Sequence, residues 1–186
     1  MAKYSIDDYV ADLRRIAAEI SDCAEIFGGV APLAKKVVLA KESWIKPEHY
    51  ETDAEQGFGV HILHEEPDHS LAVFVVAWSP HKGTPPHDHG TWAVVVGMDG
   101  EERNVKFNRH DDRSRPDYAE LEERCRITAG PGDVICMRPR GIHLVHNDTG
   151  RVTTSLHTYG RHVNYTDRAS FNLETNEATP FKVSIK

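Results

Sequence analysis

From Gly57 to Gly160 the chain is a succession of short apolar segments, and this pattern limits the fold more than any other feature. "FGVHILHEE", "SLAVFVVAWSP", "TWAVVVGMDG", "RNVKFNR", "CRITAGPGDVICMRP", "HLVHND" and "RVTTSLHTYG" are rich in Val, Ile, Thr and aromatics, with Gly, Pro, Asn and Asp between them at hairpin-like intervals. Parallel βαβ units would need helices as crossovers between the strands. The spacing therefore predicts a mainly-β fold, an antiparallel barrel or jelly roll. The charged stretch "HDDRSRPDYAELEER" reads as a solvated loop between the two halves of that barrel.

Upstream the period changes. Ile6, Val10, Leu13, Ile16, Ala17 and Ile20 recur at three- and four-residue spacing, which predicts a helix over residues 4–27. Ser5 and Asp8 resemble a capping box, and Gly28-Gly29 reads as the stop. "PLAKKVVLAKES" predicts a second helix, with Pro32 in its first turn and its end before Trp44. A chain of 186 residues is expected to form one domain: N-terminal helices over 1–50, a barrel over 57–160 and a C-terminal tail over 161–186 that wraps the surface.

The net charge of -7 argues against nucleic acid or an anionic membrane as partner, since both select basic surfaces. No apolar run approaches the ~18 residues of a membrane span. "MAKYSIDDYV" carries no apolar segment with a small-residue cleavage site, so a cytoplasmic location is the default expectation. Cys23, Cys125 and Cys136 are odd in number and scattered, which suits reduced thiols better than disulfides or a zinc knot. Monomer and homo-oligomer both remain open.

Twelve histidines stand out, and three constellations involve them. In "TPPHDHGTW", His87 and His89 sit at i and i+2, on one face of an extended chain, with Asp88 on the other. They read either as a metal-ligand pair or as two polar residues on a wet strand. In "GDVICMRPRGIHLVHN" a Pro-x-Gly turn starts a strand at His143, and a third imidazole there would complete a facial set with open positions. His146 would face the other way, and His64, His69, His81 and His110 belong to turns or edges. In "SLHTY", Ser155, His157 and Tyr159 share a face; turned inward, they would satisfy one another as a hydrogen-bond relay that aims the phenol at the metal.

With these motifs placed, the region 57–160 resembles the cupins, small double-stranded β-helix barrels, and within them the cysteine dioxygenase family of thiol dioxygenases. "HDH" at 87–89 is similar to that family's first ligand pair, "GIHLVHN" to its third-ligand segment, and "SLHTY" to its Ser-x-His-x-Tyr relay. The resemblance implies one Fe(II) per chain on His87, His89 and His143. It also implies a small carboxylate-bearing thiol, such as cysteine or 3-mercaptopropionate, as substrate with dioxygen, and a sulfinate as product. Tyr159, supported by His157 and Ser155, would hydrogen-bond the substrate or the oxygen. General cupins often carry a glutamate ligand after the histidine pair, where this chain has Ala93 and Val94. The uncompensated charge of a divalent ion then favours an anionic thiolate ligand. "GTWAVVVG" also lacks the cysteine that animal members cross-link to the tyrosine, which suits the bacterial branch and its 3-mercaptopropionate dioxygenases. The family's carboxylate-binding Arg or Gln falls on His61, which is either a substrate contact or an outward strand residue; Arg161 or Arg168 of the tail could take that role instead. A cupin using another metal for hydrolysis or isomerisation, and a metal-free ligand-binding barrel, are the alternatives.

Overall fold

The computed structural model describes residues 4–186. Helices α1 (Ile6–Glu19) and α2 (Cys23–Leu39) precede eight barrel strands: β1 (Phe58–Glu65), β2 (Ala72–Trp78), β3 (Ala93–Asp99), β4 (Glu102–Arg109), β5 (Leu121–Ala129), β6 (Val134–Met137), β7 (Ile142–His146) and β8 (Thr153–Tyr159). Two short strands, β9 (Ala169–Phe171) and β10 (Ala178–Pro180), follow in the tail. One sheet runs β1-β2-β8-β3-β6 and a second runs β5-β4-β7, with every pairing antiparallel. This is the jelly-roll pattern that the segment spacing predicts.

Alternation along the central strands separates two cores. Val73 and Val75 of β2, with Leu156 of β8, pack against Leu13, Ile16 and Val30 of the helices. Phe74, Val76 and Trp78 point the other way, into the barrel with Phe58, Val60 and Val145. Burying each such side chain stabilises the fold by ~1.5–3 kcal/mol. A one-residue slip of β2 or β8 would exchange the two sets, so the register is strongly held. At the helix-side interface the Tyr9 hydroxyl meets Thr158 Oγ1 at 2.7 Å, which satisfies one of the two buried hydroxyls on the outward face of β8.

The helices divide differently from the prediction. The Ser5–Asp8 capping box is present, but α1 ends at Glu19. Asp22 then caps α2, its Oδ1 accepting from Ala24 N at 2.8 Å and Glu25 N at 3.1 Å. Gly28, Gly29 and Pro32 all lie inside α2. Close packing is the reason: a Cβ on Gly29 would lie 3.0 Å from Ile16 Cδ1. The glycine admits the neighbouring helix instead of ending its own.

The predicted loop also ends early, since β5 begins at Leu121 and pairs Glu122 with Asn108 and Glu123 with Phe107 of β4. As an edge strand with its charges in solvent, β5 has the composition of a loop. The tail does more than wrap. Val183 and Ile185 pack on the barrel core, Lys186 N donates to Val60 O at 2.9 Å, and Phe181 N donates to Arg168 O at 3.2 Å. Among the described residues no helix is long and apolar enough to cross a membrane.

Candidate metal centre

His87, His89 and His143 come together in the barrel interior, all buried, with one ring nitrogen of each within 4.8 Å of the others. The backbone explains the meeting. His87 N donates to His143 O at 2.8 Å and His143 N to His87 O at 3.0 Å, so the two residues oppose one another directly. Pro85 and Pro86 lack donors for a longer ladder, and the segment holds by isolated bridges instead of the predicted strand. Asp88 faces away from the cluster, accepting from Ala169 N at 2.9 Å and from Arg140 at 3.3 Å. Gly90, at φ +65°, then turns the chain after the second histidine.

Hydrogen bonds from the outer ring nitrogens set the tautomers. His143 Nδ1–H donates to Asn104 Oδ1 at 3.1 Å, and His87 Nδ1–H donates to the Pro85 carbonyl at 3.0 Å. Both rings thus keep Nε2 bare. His89 Nε2 lies 3.3 Å from His143 Nε2, and His89 Nδ1 has no partner among the described residues. At most one proton, carried by His89, is left among three converging nitrogens. Burial holds His87 and His89 well below the ordinary imidazole range, with the neighbouring histidines adding to the effect, and pushes His143 down to about 3. Three neutral, mutually facing nitrogens fit a divalent cation, whose charge would turn their lone-pair repulsion into ligation. No carboxylate belongs to the set.

Beside the cluster lies the inward face of β8. Tyr159 packs its ring 5.3 Å from that of His89, its hydroxyl lies 2.8 Å from His157 Nδ1, and His157 Nε2 lies 2.9 Å from Ser155 Oγ. Ser155 also accepts from Trp78 Nε1 at 3.2 Å and sits 2.9 Å from Glu102 Oε2. Desolvation keeps His157 neutral, down to about 3, and pushes the phenol up to about 12, with Arg168 pulling the phenol back. Glu102 is fully enclosed, and burial pushes its carboxyl up to about 8.

A small pocket joins these parts, walled by Phe58, Val60, Phe74 and Val76 and closed by Arg168, Phe181 and Val183 of the tail. Arg168 is buried, its Nε donating to Phe181 O at 3.0 Å while its guanidinium stacks 4.2 Å above the Phe181 ring. Among the described residues no carboxylate pairs with it within 4.0 Å. Burial lowers its pKa to about 10, with Tyr159 and Asp88 opposing the shift, so it remains a cation.

His61 is not part of this site. Its neighbours Phe58 and Val60 take the inward positions of β1, and alternation turns His61 to the opposite face. There its Nε2 meets Glu51 O at 2.8 Å and its ring lies 6.0 Å from His49. The expected substrate contact is therefore corrected, and of the two tail arginines only Arg168 reaches the pocket; Arg161 bonds the Tyr165 carbonyl on the surface. Asn104 and Glu102 escaped the sequence reading. They are the inward pair at i and i+2 of β4, but "EERNV" does not reveal which of its polar residues turn inward.

No protein-family model matches the chain. Among solved structures, an uncharacterized conserved protein with a double-stranded β-helix domain from Klebsiella pneumoniae is 14% identical, with a TM-score of 0.50, over 70% of this chain and 93% of its own. An oxalate oxidase in complex with glycolate is 18% identical with a TM-score of 0.47, over 60% of this chain and 54% of its own. A cupin superfamily protein from Desulfitobacterium hafniense is 12% identical with a TM-score of 0.41, over 59% of this chain and 81% of its own. The chain spans about half the length of the oxalate oxidase chains it matches. The fold is a double-stranded β-helix with an N-terminal helical layer, carrying a three-histidine cluster suited to a metal ion.

Proposed function

We propose that this protein is a non-haem iron(II) thiol dioxygenase, with one iron per chain on His87, His89 and His143, converting a small carboxylate-bearing thiol and dioxygen to the sulfinate. The observation that carries this reading is the sharing of one pocket by a neutral three-nitrogen cluster, an unpaired buried guanidinium and the phenol end of a relay. Iron held there would supply a site for thiolate and dioxygen and the electron transfer that lets both oxygen atoms join sulfur.

The chain's own residues do the rest. The neutral ligands leave the cation's full charge to favour a deprotonated sulfur over a neutral thiol. Arg168 takes the substrate carboxylate, since a buried guanidinium with no carboxylate within 4.0 Å among the described residues gains its direct ion pair when an anion enters. Phe58, Val60, Phe74 and Val76 hold the aliphatic carbons and keep water out. Tyr159 hydrogen-bonds the substrate from the side opposite its relay.

The test is iron content after purification without chelator, then oxygen uptake with cysteine, 3-mercaptopropionate, mercaptosuccinate and cysteamine. Iron binding with uptake driven by the carboxylate thiols is the expected outcome. Absence of iron affinity together with absence of thiol-dependent uptake rejects the proposal. Arg168→Gln should raise KM for carboxylate thiols about tenfold or more, the scale of a lost charge-assisted bond. Cysteamine, which has no carboxylate, should be unaffected. Tyr159→Phe should leave iron bound and slow turnover.

A further inference from the structure

Ser155 Oγ has three polar neighbours and a single hydrogen. Trp78 Nε1 can only donate to it, at 3.2 Å. Its hydrogen then goes either to Glu102 Oε2 or to His157 Nε2, each 2.9 Å away, and whichever does not receive it must donate in return. Two complete arrangements follow. If Glu102 is a carboxylate, Ser155 donates to it, His157 donates from Nε2 to Ser155, and the bare Nδ1 accepts the Tyr159 hydroxyl at 2.8 Å. If Glu102 is a carboxylic acid, it donates to Ser155, Ser155 donates to His157 Nε2, and His157 donates from Nδ1 to the phenol oxygen. In the second arrangement the phenol hydrogen is free to point into the pocket.

We propose that Glu102 is the terminal positioning residue of this relay, its protonation deciding which way the Ser155–His157–Tyr159 bonds run and whether Tyr159 offers the pocket a donor or a lone pair. The surroundings isolate that choice. Glu102 faces Ser155 and Thr153 from β8 and pairs with Ala129 of β5; through Ser155 the line reaches Trp78 and His157, and beyond His157 the phenol of Tyr159. No ionised side chain contributes to its titration, and burial favours the acid at neutral pH. Glu102 Oε1 and Thr153 Oγ1 both lack a hydrogen-bond partner among the described residues, and the Ser155 and Thr153 hydroxyls oppose the upward push of burial on the carboxyl without cancelling it. The consequence for catalysis rests on the thiol dioxygenase reading, whereas the direction of the bonds is a property of the folded chain.

The experiment is nitrogen NMR of the His157 ring in metal-free full-length protein, assigned by its loss in His157→Asn, from about pH 6.5 to about pH 9.5. Wild type should carry its proton on Nδ1 at the lower pH and move it to Nε2 as Glu102 ionises. Glu102→Gln cannot ionise and should hold one tautomer throughout. Unchanged wild-type tautomer across the range, or a Glu102→Gln protein that follows the wild-type course, overturns the proposal. The wild-type titration alone decides the matter should Glu102→Gln fail to fold. In the iron-loaded enzyme the same substitution should remove the alkaline limb of the kcat profile. Absence of dioxygenase activity alongside the tautomer change would reject the function and leave the relay's polarity in place.

Discussion

Four outer histidines and three inner ones are wired in opposite ways. His64, His69, His110 and His146 each place a ring nitrogen 2.6–3.0 Å from a carboxylate, on Glu66, Glu65, Glu122 and Asp148. His87, His89 and His143 have no carboxylate and turn toward one another. Number and burial of histidines therefore say less about metal binding than the kind of partner each ring meets. An imidazole on a carboxylate is already satisfied; a buried one facing another bare nitrogen is satisfied only by a proton or a cation.

The sharpest way to break this contrast is to remove one ring from each group. His143→Ala should abolish stoichiometric metal binding, read by metal analysis of the purified protein, while His146→Ala, three residues along the same strand, should leave it intact. A smaller loss is expected from the outer partner: Asn104→Leu frees the His143 tautomer and should weaken metal affinity ~10–100-fold by competition titration.

Acid should separate the groups next. The folded-state pKa values of the inner histidines are depressed, His143 to about 3, so the unfolded chain binds protons that the folded chain does not. Stability of the metal-free protein should thus fall as pH drops below about 6.5 toward about 3, and urea unfolding across that window should show a gentler slope for His143→Leu. Saturating metal, which binds only neutral imidazole, should raise stability at neutral pH by ~2.7 kcal/mol at a hundredfold excess over Kd. The smallest effect belongs to the rim, where His110→Ala should change stability by less than about 0.5 kcal/mol.

Legibility in the sequence followed the range of the interaction that each feature needs. The capping box at Ser5–Asp8 and the residue alternation along the barrel strands, the start of β5 excepted, depend on neighbours within a few residues and are readable. The break between α1 and α2 was misplaced because Gly28-Gly29 serves contact with Ile16, a partner on another helix. The first turn of charge on β5 looked like loop because only pairing with β4 makes it a strand. His61 and Val60 are adjacent and both plausible on an inner wall until the tail and sheet packing decide between them.

What the sequence determined by itself is periodic: that short antiparallel strands form a barrel, that His87 and His89 share a side, and that Ser155, His157 and Tyr159 share another. Period-two alternation is a property of the local backbone, so it reports which residues go together. It does not report which set is inside. Tertiary structure alone turned His61 away, brought Arg168 from the tail over the pocket, and placed Glu102 behind Ser155, because burial depends on packing between separate segments of the chain.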